Sequence, residues 1–307
     1  MARKVVLVSD PGIDGAFAAA AALFDAELEV LGLGATAGNV SAEQATRNVH
    51  LLVEQFDPPR FPRLGTAVPL EVEFDARDQH GPDGLGGLDL TVSRLHQPPT
   101  TDRLIAELAR EYPHAVTLVV LGPCTAIGQL LEFDPDAALL LERIVVVGGA
   151  WREPGDHGAV TEFHFACDPV AARRVLHSEL PVTLLPLDVG RRLLLSPSDL
   201  LRLEPDGPPV ARFLRQLVPF GLSAAMSHFG VEGLYLPDVL GVVAAGHPEH
   251  FEVRRVAVDV ELRGGLTKGM SVFDTRWGRN PTPGLEVATD VDLKAVRRHL
   301  QRILRGE

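Results

Sequence analysis

The chain has 307 residues with 46% hydrophobic and 23% charged residues, an ordinary globular composition without a low-complexity tract. Its formal net charge of -12 speaks against nucleic acid as a partner, because neutralising a phosphate backbone needs a basic surface. Its two cysteines, Cys124 and Cys167, fall outside any CxxC pair, so no disulfide framework and no zinc or redox motif is expected. The amino terminus shows no cleavable signal pattern and no window nears 18 uninterrupted apolar residues, so a cytoplasmic chain without a membrane segment is expected. The pair Arg191-Arg192 reads as solvated surface.

In chain order, continuous apolar runs of strand length fall at Val5–Val8, Leu28–Leu33, Val116–Leu121, Ile144–Val147 and Val182–Leu187. None alternates with period two, which is the pattern of strands buried on both faces of a parallel sheet. Helical stretches lie between or after them at Asp14–Phe24, Ala42–Glu54, Thr101–Glu111, Ala126–Glu132 and Pro169–His177. Repetition of strand, loop and helix predicts βαβ units, hence an α/β fold with an open, mostly parallel, Rossmann-like sheet covered by helices on both faces. Ser41 and Gln44 have the spacing of a capping box, which puts Gly38-Asn39-Val40 in the loop entering the second helix. From Phe251 the pattern changes. Phe251–Leu262 and Met270–Phe273 read as an antiparallel C-terminal extension, closed by a helix from about Asp292 to Leu304. The proline-rich stretches at 55–70 and 203–209 do not read as linkers, and residues 1–307 are expected to form one domain.

Acidic and polar residues gather at the predicted carboxyl ends of the strands: Asp10 and Asp14, Asn39, Thr125, Glu162 and His164, and Asp188, with Asp238 after Gly233–Pro237. Carboxylates and neutral oxygen donors without matching Lys and Arg suit a hard cation such as Ca²⁺, or a polyhydroxyl ligand. Singly, Asp10 and Asp188 are also good turn residues at a strand end.

The ordered set Asp10-Pro11-Gly12-Ile13-Asp14, Ala37–Ser41 through Asn48, His80–Gly87, Leu121–Thr125, Val147–Ala150, Glu162-Phe163, Asp168-Pro169, Leu187–Val189 and Gly265–Asp274 resembles the inosine-uridine-preferring nucleoside hydrolases over nearly the whole chain. The resemblance implies the nucleoside hydrolase fold and hydrolysis of the N-glycosidic bond of a ribonucleoside to ribose and free base. It further implies Ca²⁺ holding ribose and the attacking water, and a homodimer or homotetramer. Asp10 matches the catalytic base and a metal ligand, Thr125 a ligand through its carbonyl, and Asp238 the late metal carboxylate. Asp14, Asn39 and Glu162 match ribose-binding residues.

Six positions depart from the family pattern. Val8 and Gly15 replace aspartates, and the second of these is a principal calcium ligand in the family. Ala126 and His164 replace asparagines, Gly190 a threonine, and Pro237 a histidine that serves the leaving base in many relatives. The loss at Gly15 predicts a weakened or modified metal site, since calcium wants about six to eight oxygens. His164 can supply a nitrogen or a positive charge to ribose or catalysis, Tyr235 or His228 can serve the leaving group, and His80 can close over the base. Two readings follow: a ribonucleoside hydrolase with altered metal dependence, and a silent relative that binds ribose or a nucleoside without turnover. A dinucleotide-dependent oxidoreductase is set aside, because no GxGxxG follows the first strand.

Overall fold

The run Val5–Val8 lies at the centre of an eight-stranded sheet, where β1 (Arg3–Ser9) pairs in parallel with β2 (Leu28–Ala35) on one side and β4 (Val116–Leu121) on the other. The structure, a computed structural model, describes residues 2–72, 74–88, 90–92, 98–200, 203, 206–276 and 280–305. The remaining named strands are β3 (Arg63–Gly65), β5 (Arg143–Val147), β6 (Val182–Leu185), β7 (Leu194–Leu195), β8 (Leu234–Tyr235), β9 (Phe251–Arg254), β10 (Ala257–Val260), β11 (Ser271–Asp274) and β12 (Leu285–Val291). The sheet order is β3-β2-β1-β4-β5-β6-β12-β9, parallel throughout except for the antiparallel pair β12–β9.

The lack of period-two alternation has its physical cause in two apolar layers. Val5 and Leu7 pack with the layer that includes the helices Ile13–Leu23, Ala42–Phe56, Pro209–Phe229 and Pro237–Gly246. Val6 and Val8 pack with the opposite layer, built on Thr101–Glu111, Thr125–Phe133 and Pro169–Leu176. Every side chain of the run is therefore buried, whichever way it points. The strand order reverses between β1 and β4, so their carboxyl ends open the crevice in which sheets of this kind bind ligands.

The antiparallel extension differs in detail from its expectation. Phe251–Leu262 is not one strand but two: β9 joins the edge of the main sheet, while β10 pairs with β11 in a separate ribbon. The break falls at Arg255-Val256, where an exposed residue precedes a buried one. β3, β12 and the helices Pro209–Phe229 and Pro237–Gly246 had no counterpart among the predicted elements. The longest of these helices carries Pro219 inside it, which disguises a helix in sequence. In the stretch 203–209, residues 204 and 205 lie outside the described residues. The capping box forms by half: Ser41 Oγ accepts the Gln44 N–H at 3.3 Å, while the Gln44 amide turns to Asn48 Oδ1 at 2.8 Å.

Candidate active site

Asp10 is the first residue past β1 and is 1% exposed. Its Oδ2 accepts the Asn39 N–H at 2.9 Å, and the Asn39 side-chain amide donates back to the Asp10 carbonyl at 2.8 Å. This reciprocal pair locks the ends of β1 and β2 together. A methyl group at Gly38 would collide with the Asp10 carboxylate, which is the steric reason for glycine before Asn39. The Asp10 Oδ1 stands 3.7 Å from His164 Nε2, longer than an N–H···O hydrogen bond. Burial raises the Asp10 pKa to about 7, and the His164 charge and the Asn39 N–H offset only part of that rise.

Glu162 and His164 arrive from the loop after β5. Gly149 has φ of 76°, a left-handed turn that favours glycine, and its N–H donates to Glu162 Oε2 at 2.9 Å. Glu162 also accepts from the backbone N–H groups of His164 at 2.9 Å and Phe165 at 3.1 Å, capping the short helix Phe163–Cys167. The resemblance gives Glu162 to ribose, yet three of the roughly four lone-pair positions of its carboxylate already serve the backbone.

The His164 ring lies among these carboxylates. Its Nδ1 is 3.2 Å from the Val147 carbonyl and 3.4 Å from Glu162 Oε1, and its Nε2 faces Asp10. Burial opposes a charged imidazole, but Glu162, Asp10 and Asp238 together outweigh it and lift the pKa to about 10. The neighbouring carboxylates therefore favour the charged form of the ring.

Asp238, on the first turn of Pro237–Gly246, is buried, and its Oδ1 has no hydrogen-bond partner. Its pKa rises, chiefly through burial and then through the Asp14 charge. A Cβ on Gly15 would stand 3.4 Å from Asp238 Oδ2, so a carboxylate at position 15 would complete a pair there. Glycine supplies none. Among the described residues, the side chains whose ligand atoms converge as sets of three are Asp25, His247 and His299, and His247, Glu249 and His250. Neither set contains Asp10, Asp14, Glu162 or Asp238. Thr125 directs its hydroxyl to Asp168 at 2.8 Å, and Asp168 caps the helix Pro169–Leu176 through the Ala171 N–H. The residues present do not fit a calcium ion, because two buried carboxylates and one carbonyl fall far short of its usual oxygen shell.

Above these groups lies a cavity lined by Asp14, Asn39, His80, Glu162, His164 and Tyr235. Asp10, Thr125 and Asp238 do not line it. His80 accepts the Ile13 N–H on Nδ1 at 3.1 Å and lies 3.9 Å from Asp14. Burial lowers its pKa despite the Asp14 charge, so it is a neutral imidazole with its proton on Nε2. The Tyr235 ring meets Phe229 edge to face at 6.0 Å.

Two candidates stand apart. His228 does not line the cavity and faces Asp78 at 3.6 Å. Asp188 accepts the backbone N–H groups of Trp151 and Arg152, both at 2.9 Å, and so anchors the loop after β5. Arg191 is not solvated surface: it lines the cavity and donates to the Pro154 carbonyl at 3.1 Å. Sequence reasoning also passed over Asp156, which lines the cavity with its pKa raised to about 6, chiefly by burial and then by the Glu162 charge. Its signal was position, since it lies in the same post-strand loop as Glu162.

Fold and site together define a class: a parallel-sheet enzyme with an acidic pocket at the carboxyl edge of its strands. The family model for the inosine-uridine preferring nucleoside hydrolases matches residues 5–298, and the chain belongs to that family. It is 32% identical over 307 residues to the non-specific ribonucleoside hydrolase RihC of Klebsiella pneumoniae, covering 99% of both chains. It is 34% identical over 299 residues to the pyrimidine-specific ribonucleoside hydrolase RihA of the same species, covering 96% of each. The solved structure of the plant nucleoside hydrolase PpNRh1 superposes with a TM-score of 0.90 at 27% identity over the whole of both chains. Each of these relatives is a hydrolase by name, which does not favour the silent alternative.

Proposed function

We propose that this chain hydrolyses the N-glycosidic bond of a ribonucleoside without a divalent cation in its active site, the His164 imidazolium supplying the positive charge there. The arrangement that carries this reading is the His164 ring held between Asp10 and Glu162, together with glycine at position 15 where the family has a metal carboxylate. A fixed internal cation costs no reorganisation as charge develops. It balances part of the negative charge of Asp10, Glu162 and Asp238 and donates to hydroxyl oxygens of ribose. Asp14 and the Asn39 side chain, both lining the pocket, hold the sugar from the facing wall.

In the reaction the C1′–N bond breaks, a water oxygen bonds to C1′, one water proton passes to Asp10 and a proton reaches the departing base nitrogen. Asp10 suits the acceptor role, since its pKa of about 7 matches a base working near neutrality. His80 Nε2–H and the Tyr235 hydroxyl are the donors for the base. The relatives' names span non-specific and pyrimidine-specific enzymes, so uridine and inosine are the substrates to try first. A homodimer or homotetramer is carried over from the resemblance, and a cytoplasmic location from the sparse cysteines and the amino terminus. No helix among the described residues is long and apolar enough to cross a membrane.

The test is release of free base from uridine and inosine by protein treated with EDTA, with and without added Ca²⁺. Turnover that persists in EDTA and is unchanged by Ca²⁺ is expected. Turnover that needs Ca²⁺ rejects the role of His164, and no turnover under either condition rejects the hydrolase reading.

A further inference from the structure

At the opposite edge of the sheet, beyond the far end of the helix Ile13–Leu23 and so more than about 13 Å from Asp14 by the rise of an α-helix, three buried side chains from distant parts of the chain meet. Asp25 precedes β2, His247 caps the end of Pro237–Gly246, and His299 lies on the C-terminal helix Leu293–Arg305. Their exposures are 7%, 8% and 7%, and their ligand atoms all lie within 4.8 Å of one another. We infer that Asp25, His247 and His299 form a binding site for a transition-metal dication of the zinc type, which ties the C-terminal helix to the core.

The orientation of His247, held beside Asp25, supports a metal over a closed hydrogen-bond network. The Asp25 Oδ1 accepts the Glu27 N–H at 2.9 Å, which aims Oδ2 at the two imidazoles. His247 Nδ1 is 3.3 Å from Glu249 Oε1. This contact assigns the ring proton to Nδ1 and reproduces the carboxylate–histidine support typical of metal-bound imidazoles. The other nitrogen, Nε2, is then a bare lone pair. It is buried without a hydrogen-bond partner and faces two carboxylate oxygens, Asp25 Oδ2 at 4.0 Å and Glu27 Oε2 at 3.9 Å. A buried lone pair turned to carboxylates lacks a cation between them. A proton on Nε2 would not reach, since 4.0 Å exceeds any N–H···O hydrogen bond.

The distances suit a small dication. Ligand atoms about 2.0–2.1 Å from tetrahedral zinc are about 3.3 Å apart. Asp25 Oδ2 lies 2.8 Å from His299 Nε2 and 4.0 Å from His247 Nε2, values on either side of that spacing. Arg302 donates to His299 Nδ1 at 3.1 Å, which leaves the proton of that ring on Nε2, toward Asp25. Metal binding at Nε2 moves the ring proton to Nδ1, so the Arg302 guanidinium gives up this contact and turns to solvent. Glu27, largely exposed, or a water completes the tetrahedron. Two imidazoles and a carboxylate favour zinc, nickel or copper over calcium or magnesium.

The experiment uses the full chain, stripped with chelator and dialysed, and titrated with Co²⁺ and Zn²⁺. One equivalent of Co²⁺ with d–d absorption showing nitrogen ligation is expected, and Zn²⁺ should displace it and raise the melting temperature. His299→Gln and Asp25→Asn should each weaken binding by about tenfold or more. Asp25→Asn keeps an acceptor for His299 and guards against a variant that merely unfolds. His250→Asn and Asp238→Asn should bind as the parent does. No binding by the folded, stripped protein overturns the inference. So does loss of binding in His250→Asn with retention in His299→Gln, which would put the ion among His247, Glu249 and His250, or loss in Asp238→Asn, which would put it in the active site. Because the readout is cobalt absorption and melting, its failure is distinct from failure of nucleoside hydrolysis.

Discussion

A Cβ built on Gly15 stands 3.1 Å from Ser9 Oγ and 3.4 Å from Asp238 Oδ2, so position 15 and the late carboxylate share one wall of the site. The sequence showed that a carboxylate was missing there. It also offered His164, another departure from the family pattern, as a source of positive charge, but did not show that its ring stands between Asp10 and Glu162. The two changes act together, since removing one negative group and adding one positive group both lessen the need for an external ion. Gly15→Asp combined with His164→Asn should therefore create calcium binding measurable by calorimetry, whereas Gly15→Asp alone should not, because the imidazolium repels the ion. His164→Asn alone should lower kcat/KM by about 10²-fold, the size of a lost preorganised donor. The pH profile follows from the signs. Asp10 must be ionised to accept a proton, so activity rises as pH passes about 7. His164 must keep its proton, so activity falls as pH passes about 10. Measured values belong to the pair rather than to either residue, and a single ascending limb in the wild type would remove His164⁺ from the mechanism. Gly190 and Pro237 are a second coupled departure: a Cβ on Gly190 would lie 3.0 Å from the Pro237 Cβ, so a threonine at 190 would press on this proline.

The elements that deliver these side chains hold one another by caps and latches. Asp168 caps Pro169–Leu176 and also accepts the Thr125 hydroxyl, joining the helix after β4 to the one that precedes β6. Asp168→Ala should cost about 1–2 kcal/mol, the usual range for a lost N-cap, as read from urea unfolding; a change below a few tenths would show that neither bond matters. The ribbon β10–β11 has a similar task. Ser271 Oγ accepts the Ala150 N–H at 2.8 Å and donates to its carbonyl at 2.9 Å, and Phe273 stacks on Trp151 at 4.9 Å. The family match at Gly265–Asp274 thus has a structural reason: this ribbon fixes the loop that carries Asp156, Glu162 and His164. The predicted hairpin captured the antiparallel character but merged β9 with β10, because the turn between them holds neither glycine nor proline. Pro209–Phe229 escaped notice for the opposite reason, carrying at Pro219 a residue that normally ends a helix.

Across the whole molecule, sheet order and charge govern what the chain can do. A surface with net charge -12 and a crevice at the β1–β4 reversal suit a small neutral ligand better than a polyanion. Sedimentation should give twice or four times the mass of one chain, as the family resemblance implies, and a monomer at micromolar concentration would refute that. The α/β class, the parallel sheet and the carboxyl-edge position of Asp10, Asn39 and Glu162 were legible in the order of residues, because apolar runs and their periodicity report burial directly. The family motifs added the reaction. Three-dimensional packing was needed for what depends on meetings between residues far apart in the chain. The approach of His164 to Asp10 spans 154 positions and that of His299 to Asp25 spans 274, separations at which neither periodicity nor spacing carries information. Charge state followed the same rule. Asp10 and His80 are ordinary titrating residues in a list, and burial, a property of the folded chain, raises the pKa of the one and lowers that of the other.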